Sequence, residues 1–537
     1  MRFGRTKNAP KAKLERIKES SAPSGAAPAA RLQSAQSWMA PRYRQLVRAL
    51  CVLLGLAIFA AAEWRVAVAI DSEMYYAMIV LGALMAAMVV VAVSPTWGFI
   101  TWLFLSPFAG VFLPPKTQYL IGVDVVLLGL LVVSSMFRAL ADRKKLPRLL
   151  FAEWMMIASW IYAMVLRNTG AFGAKDYPSQ LFLAPVVVYF IAKATIKERK
   201  HVAWVALAVL CVGTVWAGLG IYEHFAGQSW ISLAAGTAVR IRGEHDVGAG
   251  RSIGPAGHYY LYGNVIILSL LIAIHFAGWV RNVGLRILYY VLWPVLLVGL
   301  YFGYSRAPYL ALVLALSIML LLARAGFKRY LTVTILIAVA VVFVAPYWLS
   351  DRELTRRLES TPTGRLAALA TSLNMIRAYP FFGIGVGQYA DSAPLYVTSR
   401  AHPHMQTRTG LISIWSRPHS EYLLVLSEQG IIGAFLYFGT ILAFIVRMLR
   451  TRANLDANGI LGKDLIAVVV AFTGGVLLTM VTDEFQVHIY MYFIMFTMFA
   501  MVERLRELSL PKTESSTQGT TVGPRRALRG RVGSELT

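Results

Sequence analysis

Charge is scarce in this chain. Charged residues make up 15% of its 537 positions, where a soluble domain carries about a quarter. Acid is scarcer still: 27 Asp and Glu stand against 52 Lys and Arg, a net charge of +25. There are only two cysteines, Cys51 and Cys211, each inside an apolar run. They exclude a disulfide framework or a cysteine-built metal cluster. Short alternating segments of the outer-membrane barrel kind are also missing. The basic excess does not point to nucleic acid, because much of it sits in short loops between apolar segments. It suits anionic headgroups or a phosphate-bearing substrate.

What the chain has in quantity is long apolar sequence: 57% of its residues are hydrophobic. Runs of about 20 apolar residues recur throughout, the signature of a polytopic, all-α membrane protein. The runs are 46–63, 74–93, 97–113, 118–137, 149–166, 179–194, 202–222, 258–279, 286–303, 307–323, 330–349, 420–446, 464–481 and 487–502, which makes fourteen expected spans. Without the short third and sixth, the count is twelve. Residues 1–45 read as a basic, low-complexity cytoplasmic tail and 507–537 as a second tail, with the transmembrane domain between them.

The loops orient the spans. "RALADRKKLPR", "KATIKERK", "RNVGLR", "RAGFKR", "RMLRTRANLDANGILGK" and "ERLRE" fall on every second loop. The positive-inside rule places them, and both termini, in the cytoplasm. Two large loops, about 223–257 and 350–419, then lie outside, where no ATP is available.

Three residues stand at outer span ends: Arg251 in "GRSIGPAGHYY", Arg306 in "YSRAPYLALVLAL" and His419 in "RPHSEYLLVLSEQGIIG". Arginine at bilayer depth is costly, so it usually has a partner or a function. Each also has a structural reading. Arg306 can be an interfacial anchor, His419 a helix-start histidine bonded to backbone, and Arg251 a solvated loop charge. Arg417 can likewise be an anchor or a further phosphate contact.

In the second large loop, "TGRLAALATSLNMIRAYP" puts Leu366, Leu369, Leu373 and Ile376 on one helical face. Thr363 is a candidate cap and Pro380 a terminator. "PFFGIGVGQY" follows, and its alternating Gly383, Gly385 and Gly387 permit tight turns and close backbone approach. It lacks the Gly-Lys-Ser/Thr end of a nucleotide loop. Glu244, His245 and Asp246 are adjacent in a glycine-bounded loop and would make a poor metal cage. Asp483, beside Glu484 in "TDEFQVHIY", can orient an imidazole, bind an acceptor, or be a plain loop acid. Gly430 and Gly433 suit close helix packing.

The succession "GRSIGPAGHYY", "YSRAPYLALVLAL", "TGRLAALATSLNMIRAYPFFGIGVGQY", "RPHSEYLLVLSEQGIIG" resembles the O-antigen ligase and Wzy-type polymerase superfamily over about residues 240–440. Two departures stand out: "GHYYLYGN" has no Pro-Asn after its histidine, and Ala307 stands where glycine is common. The resemblance implies a GT-C-like bundle that needs no metal or other cofactor. It implies a donor glycan linked to undecaprenyl diphosphate, an acceptor that is a glycan or lipid A–core, and possible partners among other envelope polysaccharide assembly proteins. By motif, Arg251 and Arg306 would contact the diphosphate and His419 would serve the acceptor as catalytic groups. Arg417, Arg365, His258 and Asp483 would bind substrate. Two other classes compete: a transporter or flippase of polysaccharide precursors, and an inert scaffold. Against transport, the two halves of the chain show no internal repeat.

Overall fold

The structure is a computed structural model. It describes residues 94–106, 128–135, 149–169, 180–227, 251–256, 258–323, 328–337, 362–397, 417–455, 459–484 and 489–510. The first tail, the second tail from residue 511 on and the first two expected spans lie outside these, as do Cys51 and the Glu244–Asp246 triplet.

The described chain is all helical. The helices are α1 Pro95–Leu105, α2 Phe151–Thr169, α3 Gln180–Thr195, α4 Arg199–Ala226, α5 Tyr259–Ala277, α6 Val283–Phe302, α7 Arg306–Leu322, α8 Pro362–Ala378, α9 Tyr389–Tyr396, α10 Glu421–Asn454, α11 Lys463–Thr479 and α12 Ile489–Glu507. Helical residues 128–135 and 328–337 fall in the fourth and eleventh expected spans. Four helices, α4, α5, α6 and α10, are long and apolar enough to cross a membrane, and shorter apolar helices accompany them. This is a polytopic membrane helical protein.

Helix α5 forms the centre. It is apolar all round, and Tyr260 through Ala277 are buried, as expected of a helix with no polar stripe. It packs against α4, α6, α7 and α11. Its few polar groups find neighbours: Asn264 Nδ2 donates to Thr479 Oγ1 at 3.2 Å and Ser269 Oγ to the Val209 carbonyl at 3.0 Å. Helix α6 shows the opposite pattern. Leu285, Ile287, Leu288, Val291 and Val298 are exposed, so its apolar surface is left for lipid.

The expected twelfth span is not one continuous helix. Within α10, Gly430 has φ 65° and ψ −169°, a backbone state that breaks the helix. The Tyr437 hydroxyl donates to Glu421 Oε1 at 2.8 Å, sixteen residues away in sequence. In a straight helix those residues stand roughly 24 Å apart. The Tyr422 and Phe438 rings also stack, with centroids 4.6 Å apart. Residues 421–429 therefore fold back along 431–454, and only the second part has the length of a span.

The glycine-rich turn after α8 splices this break. Ile384 N–H donates to the Ser427 carbonyl at 2.9 Å, and Gly385 N–H to that of Glu428 at 3.0 Å. The Tyr162 hydroxyl serves the Gln429 carbonyl at 3.0 Å. On the other side, Ile431 N–H donates to the Pro380 carbonyl at 2.9 Å. The groups orphaned by a helix break are thus satisfied inside the protein. The close approach requires glycine: a Cβ on Gly430 would lie 2.3 Å from the Phe381 carbonyl carbon, and one on Gly383 would lie 2.3 Å from that of Glu428.

Helix α8 begins with Pro362, a favoured first helical residue, so Thr363 falls inside its first turn and not ahead of it as a cap. The helix stops at Ala378, ahead of Pro380 as expected. Its leucine face turns outward: Leu366, Leu369 and Leu373 are exposed, while Ala367, Ala368, Thr371, Ser372 and Met375 are buried on the other side. Small residues allow the closer packing, so they face the protein.

Candidate active site

The start of α10 is pinned to the end of α11. Glu421 N–H donates to the carbonyls of Met480 (2.9 Å) and Asp483 (3.0 Å), and the Tyr422 hydroxyl to that of Leu477 at 3.0 Å. This places "RPHSE" beside the turn that carries Asp483 and Glu484. His419 N–H donates to Glu484 Oε1 at 2.6 Å, and Arg417 Nε lies 3.7 Å from Glu484 Oε2. His258, just before α5, brings its Nδ1 within 3.5 Å of Asp483 Oδ2. Arg251 lies over the Tyr259 ring, 5.0 Å from its centroid.

The Arg251 segment is held by an acid that sequence reasoning passed over. Glu223, fully buried near the end of α4, accepts from Ile253 N–H at 3.0 Å and Gly254 N–H at 2.9 Å. Ser252 adds a bond from its N–H to the Phe302 carbonyl at 2.9 Å and one from its hydroxyl to the Gly220 carbonyl at 2.5 Å. That segment is thereby fixed to the turn between α6 and α7. Arg306 opens α7 on the far side of this turn; it is exposed and makes no ion pair with another described residue.

The backbone is strained at both approaches. Among the described residues, the non-glycine residues with positive φ are Tyr304 (41°), two positions before Arg306, and His419 (52°). Such conformations cost of order 1–3 kcal/mol and cluster at functional sites.

The electrostatics distinguish the groups. Burial, then the positive charges of Arg365 and Arg417, hold the His419 imidazole below its ordinary pKa. The ring is therefore neutral near pH 7 although its residue remains exposed. Burial pushes the Asp483 carboxyl up to about 7 and the Glu484 carboxyl up to about 8. Both lie in the turn outside the helices, so each is poised to exchange a proton near neutrality.

Of the seven residues singled out from sequence, the structure gathers Arg365, Arg417, His419 and Asp483 into one electrostatic cluster and joins His258 to it directly. Arg251 stands next to His258 through Tyr259. Arg306 is tied in only through the backbone, from Ser252 to Phe302. Sequence reasoning missed the acids that hold the site, Glu223 and Glu421. The Glu421 carboxylate accepts from the Tyr437 and Tyr492 hydroxyls at 2.8 and 2.9 Å. An acid at the very edge of an apolar run was the available signal for both.

Arginine, histidine and acidic groups thus lie together beside the start of α10 and the end of α11 in a polytopic helical membrane protein. Residues 290–438 match the family described as O-Antigen ligase. The chain thus carries an O-antigen ligase family domain, and that family is one of membrane glycosyltransferases. The matched segment contains Arg306, Arg365, Arg417 and His419, and it ends just after the Gly430 break. No curated protein matches the chain.

Proposed function

We propose that the protein transfers a glycan from an undecaprenyl-diphosphate carrier to a hydroxyl acceptor at the periplasmic face of the inner membrane, as an O-antigen or exopolysaccharide polymerase or an O-antigen ligase. It does so from a GT-C-like bundle of about fourteen spans with both termini cytoplasmic. The observation that carries this reading is the cluster of Arg365, Arg417 and a neutral His419 held against Glu484, inside the family-matched segment.

The chemistry follows from the groups available. The acceptor hydroxyl is a weak nucleophile, and the neutral imidazole of His419 takes its proton as the oxygen bonds to the anomeric carbon. The carbon–oxygen bond to the diphosphate breaks, and the electron pair leaves with the phosphate oxygen. That anion is a good leaving group and requires charge stabilisation more than protonation. Arg251 and Arg306 supply it with planar forks that match phosphate oxygens, and no metal is needed. A single displacement inverts the anomeric centre. His258 and Asp483 orient the substrate beside Arg251, and Arg365 and Arg417 add positive potential around it.

The test is transfer by purified protein in liposomes holding lipid-linked donor and acceptor, with no ion gradient. His419→Ala should lower the rate about 10²- to 10⁴-fold, and Arg306→Ala about 10²- to 10³-fold. His419→Ala with normal transfer would overturn the assignment of the base. Donor movement that occurs only with a gradient, and without product, would overturn transfer itself.

A further inference from the structure

Helix α8 is apolar on two faces, and only one of them is used by the protein. The small face, Ala367, Ala368 and Met375 among others, is buried against α9 and α10 with Tyr389 and Leu424. The other carries Leu366 (62% exposed), Leu369 (37%) and Leu373 (39%), spaced i, i+3, i+7 along one stripe. Tyr379, Phe381 and Phe382 continue the exposed surface past the helix end. Leucine and phenylalanine left open to water are unfavourable relative to a covered state.

What covers the stripe is indicated by where it leads. Ile431 N–H bonds to the Pro380 carbonyl, so the aromatic turn touches the beginning of the spanning part of α10. Ile431 and Phe435, the first outward residues there, are themselves 58% and 68% exposed. Residues of a membrane span with that exposure face hydrocarbon. The α8 stripe is therefore continuous with lipid-facing surface. It is bordered by Arg365 and Arg377, both exposed, the cationic rim that suits anionic headgroups.

We propose that α8 lies in the membrane interface as a monotopic amphipathic helix, with Leu366, Leu369, Leu373 and the Tyr379–Phe382 turn in the acyl boundary and Arg365 and Arg377 at headgroup level. This is independent of the transfer reaction. It would set Arg365, at the edge of the stripe and electrostatically coupled to His419 and Asp483, at the depth where a lipid phosphate travels.

A nitroxide on Leu369→Cys, with Cys51→Ala and Cys211→Ala removing the native thiols, reads the depth in lipid nanodiscs. The label should be several-fold more accessible to oxygen than to a water-soluble nickel chelate, as at Phe435→Cys. A label at Asp391→Cys, an exposed position on α9, should show the reverse. A 369 label matching the 391 label would place the stripe in water and overturn the proposal. A label shielded from both reagents would mean a protein cover, a second copy or another segment of this chain, and would also overturn it. The unmodified protein gives a second measurement: photoactivatable phosphatidylglycerol should label the 366–382 peptide, and failure to do so would count against the interface.

Discussion

The two ends of the bundle treat charge differently. At the end away from the site, ionised groups come in close pairs. Lys193 Nζ lies 2.7 Å from Glu153 Oε1 and 3.3 Å from Glu507. Glu153 also accepts from the Tyr189 hydroxyl and from Leu150 N–H, both at 2.8 Å. Arg447 meets Glu503 at 2.5 Å, and Arg504 Nε meets the Ile196 carbonyl at 2.7 Å. At the site end, Arg306 and Arg365 are exposed, two acids are pushed toward protonation by burial, and His419 has strained backbone. The first end is built to be closed, because breaking a satisfied buried pair is costly. The second leaves Arg306 and Arg365 open at the end that holds the buried acids.

This contrast predicts that substitutions at the two ends separate stability from activity. The largest effect on stability should come from Glu153→Ala, which strips a buried carboxylate from three donors. We expect a loss of about 3 kcal/mol, the low end for a broken buried pair because Glu507 remains to Lys193. The midpoint of thermal unfolding in detergent reads it. Arg306→Ala should leave that midpoint unchanged while slowing transfer; equal destabilisation by both would erase the distinction.

Gly430→Ala should come next and blur the comparison. Its Cβ collides with Phe381 backbone and its φ is positive, a penalty of at least about 1–3 kcal/mol. The splice between the glycine turn and α10 then opens, and both unfolding midpoint and transfer should fall together. Gly439→Ala provides the control, since its nearest obstacle is the Met155 Cε, the far end of a flexible side chain that can shift.

The smallest effect is pH dependence. Asp483 and Glu484 have folded pKa values raised above their ordinary ones. The folded state therefore binds these protons more tightly than the unfolded chain. The stability they contribute is full below about pH 4 and is lost as pH rises through about 7 to 8. The unfolding midpoint should decline between about pH 4 and 8 and level off above that, and Asp483→Asn with Glu484→Gln should flatten the decline. An unchanged slope would mean that these acids do not titrate in that range.

Much of the fold was legible because lipid imposes a simple code. Twelve of the fourteen expected apolar stretches coincide with helix wholly or in part, and the other two lie outside the described residues. The glycine turn also behaves as read, with Gly383, Gly385 and Gly387 all at positive φ. The Gly430 break was not legible. "EYLLVLSEQGIIGAFLYFG" reads as one apolar run, and a helix interrupted by glycine has nearly the hydropathy of one that is not. The break depends on backbone bonds from Ile384 and Gly385, in a turn far upstream, to Ser427 and Glu428. No local property of the run records that those donors will arrive.

Sequence alone determined the solvent. Long apolar runs with basic loops can bury their backbone polarity in a bilayer only as helices, whatever they pack against. Which polar groups meet was decided by tertiary structure. The His419 backbone N–H finds the Glu484 carboxylate across 65 positions, and the Glu223 carboxylate fixes the backbone of the Arg251 segment across about 30. Pairings at that separation follow from how helices pack, and apolar periodicity carries no record of them.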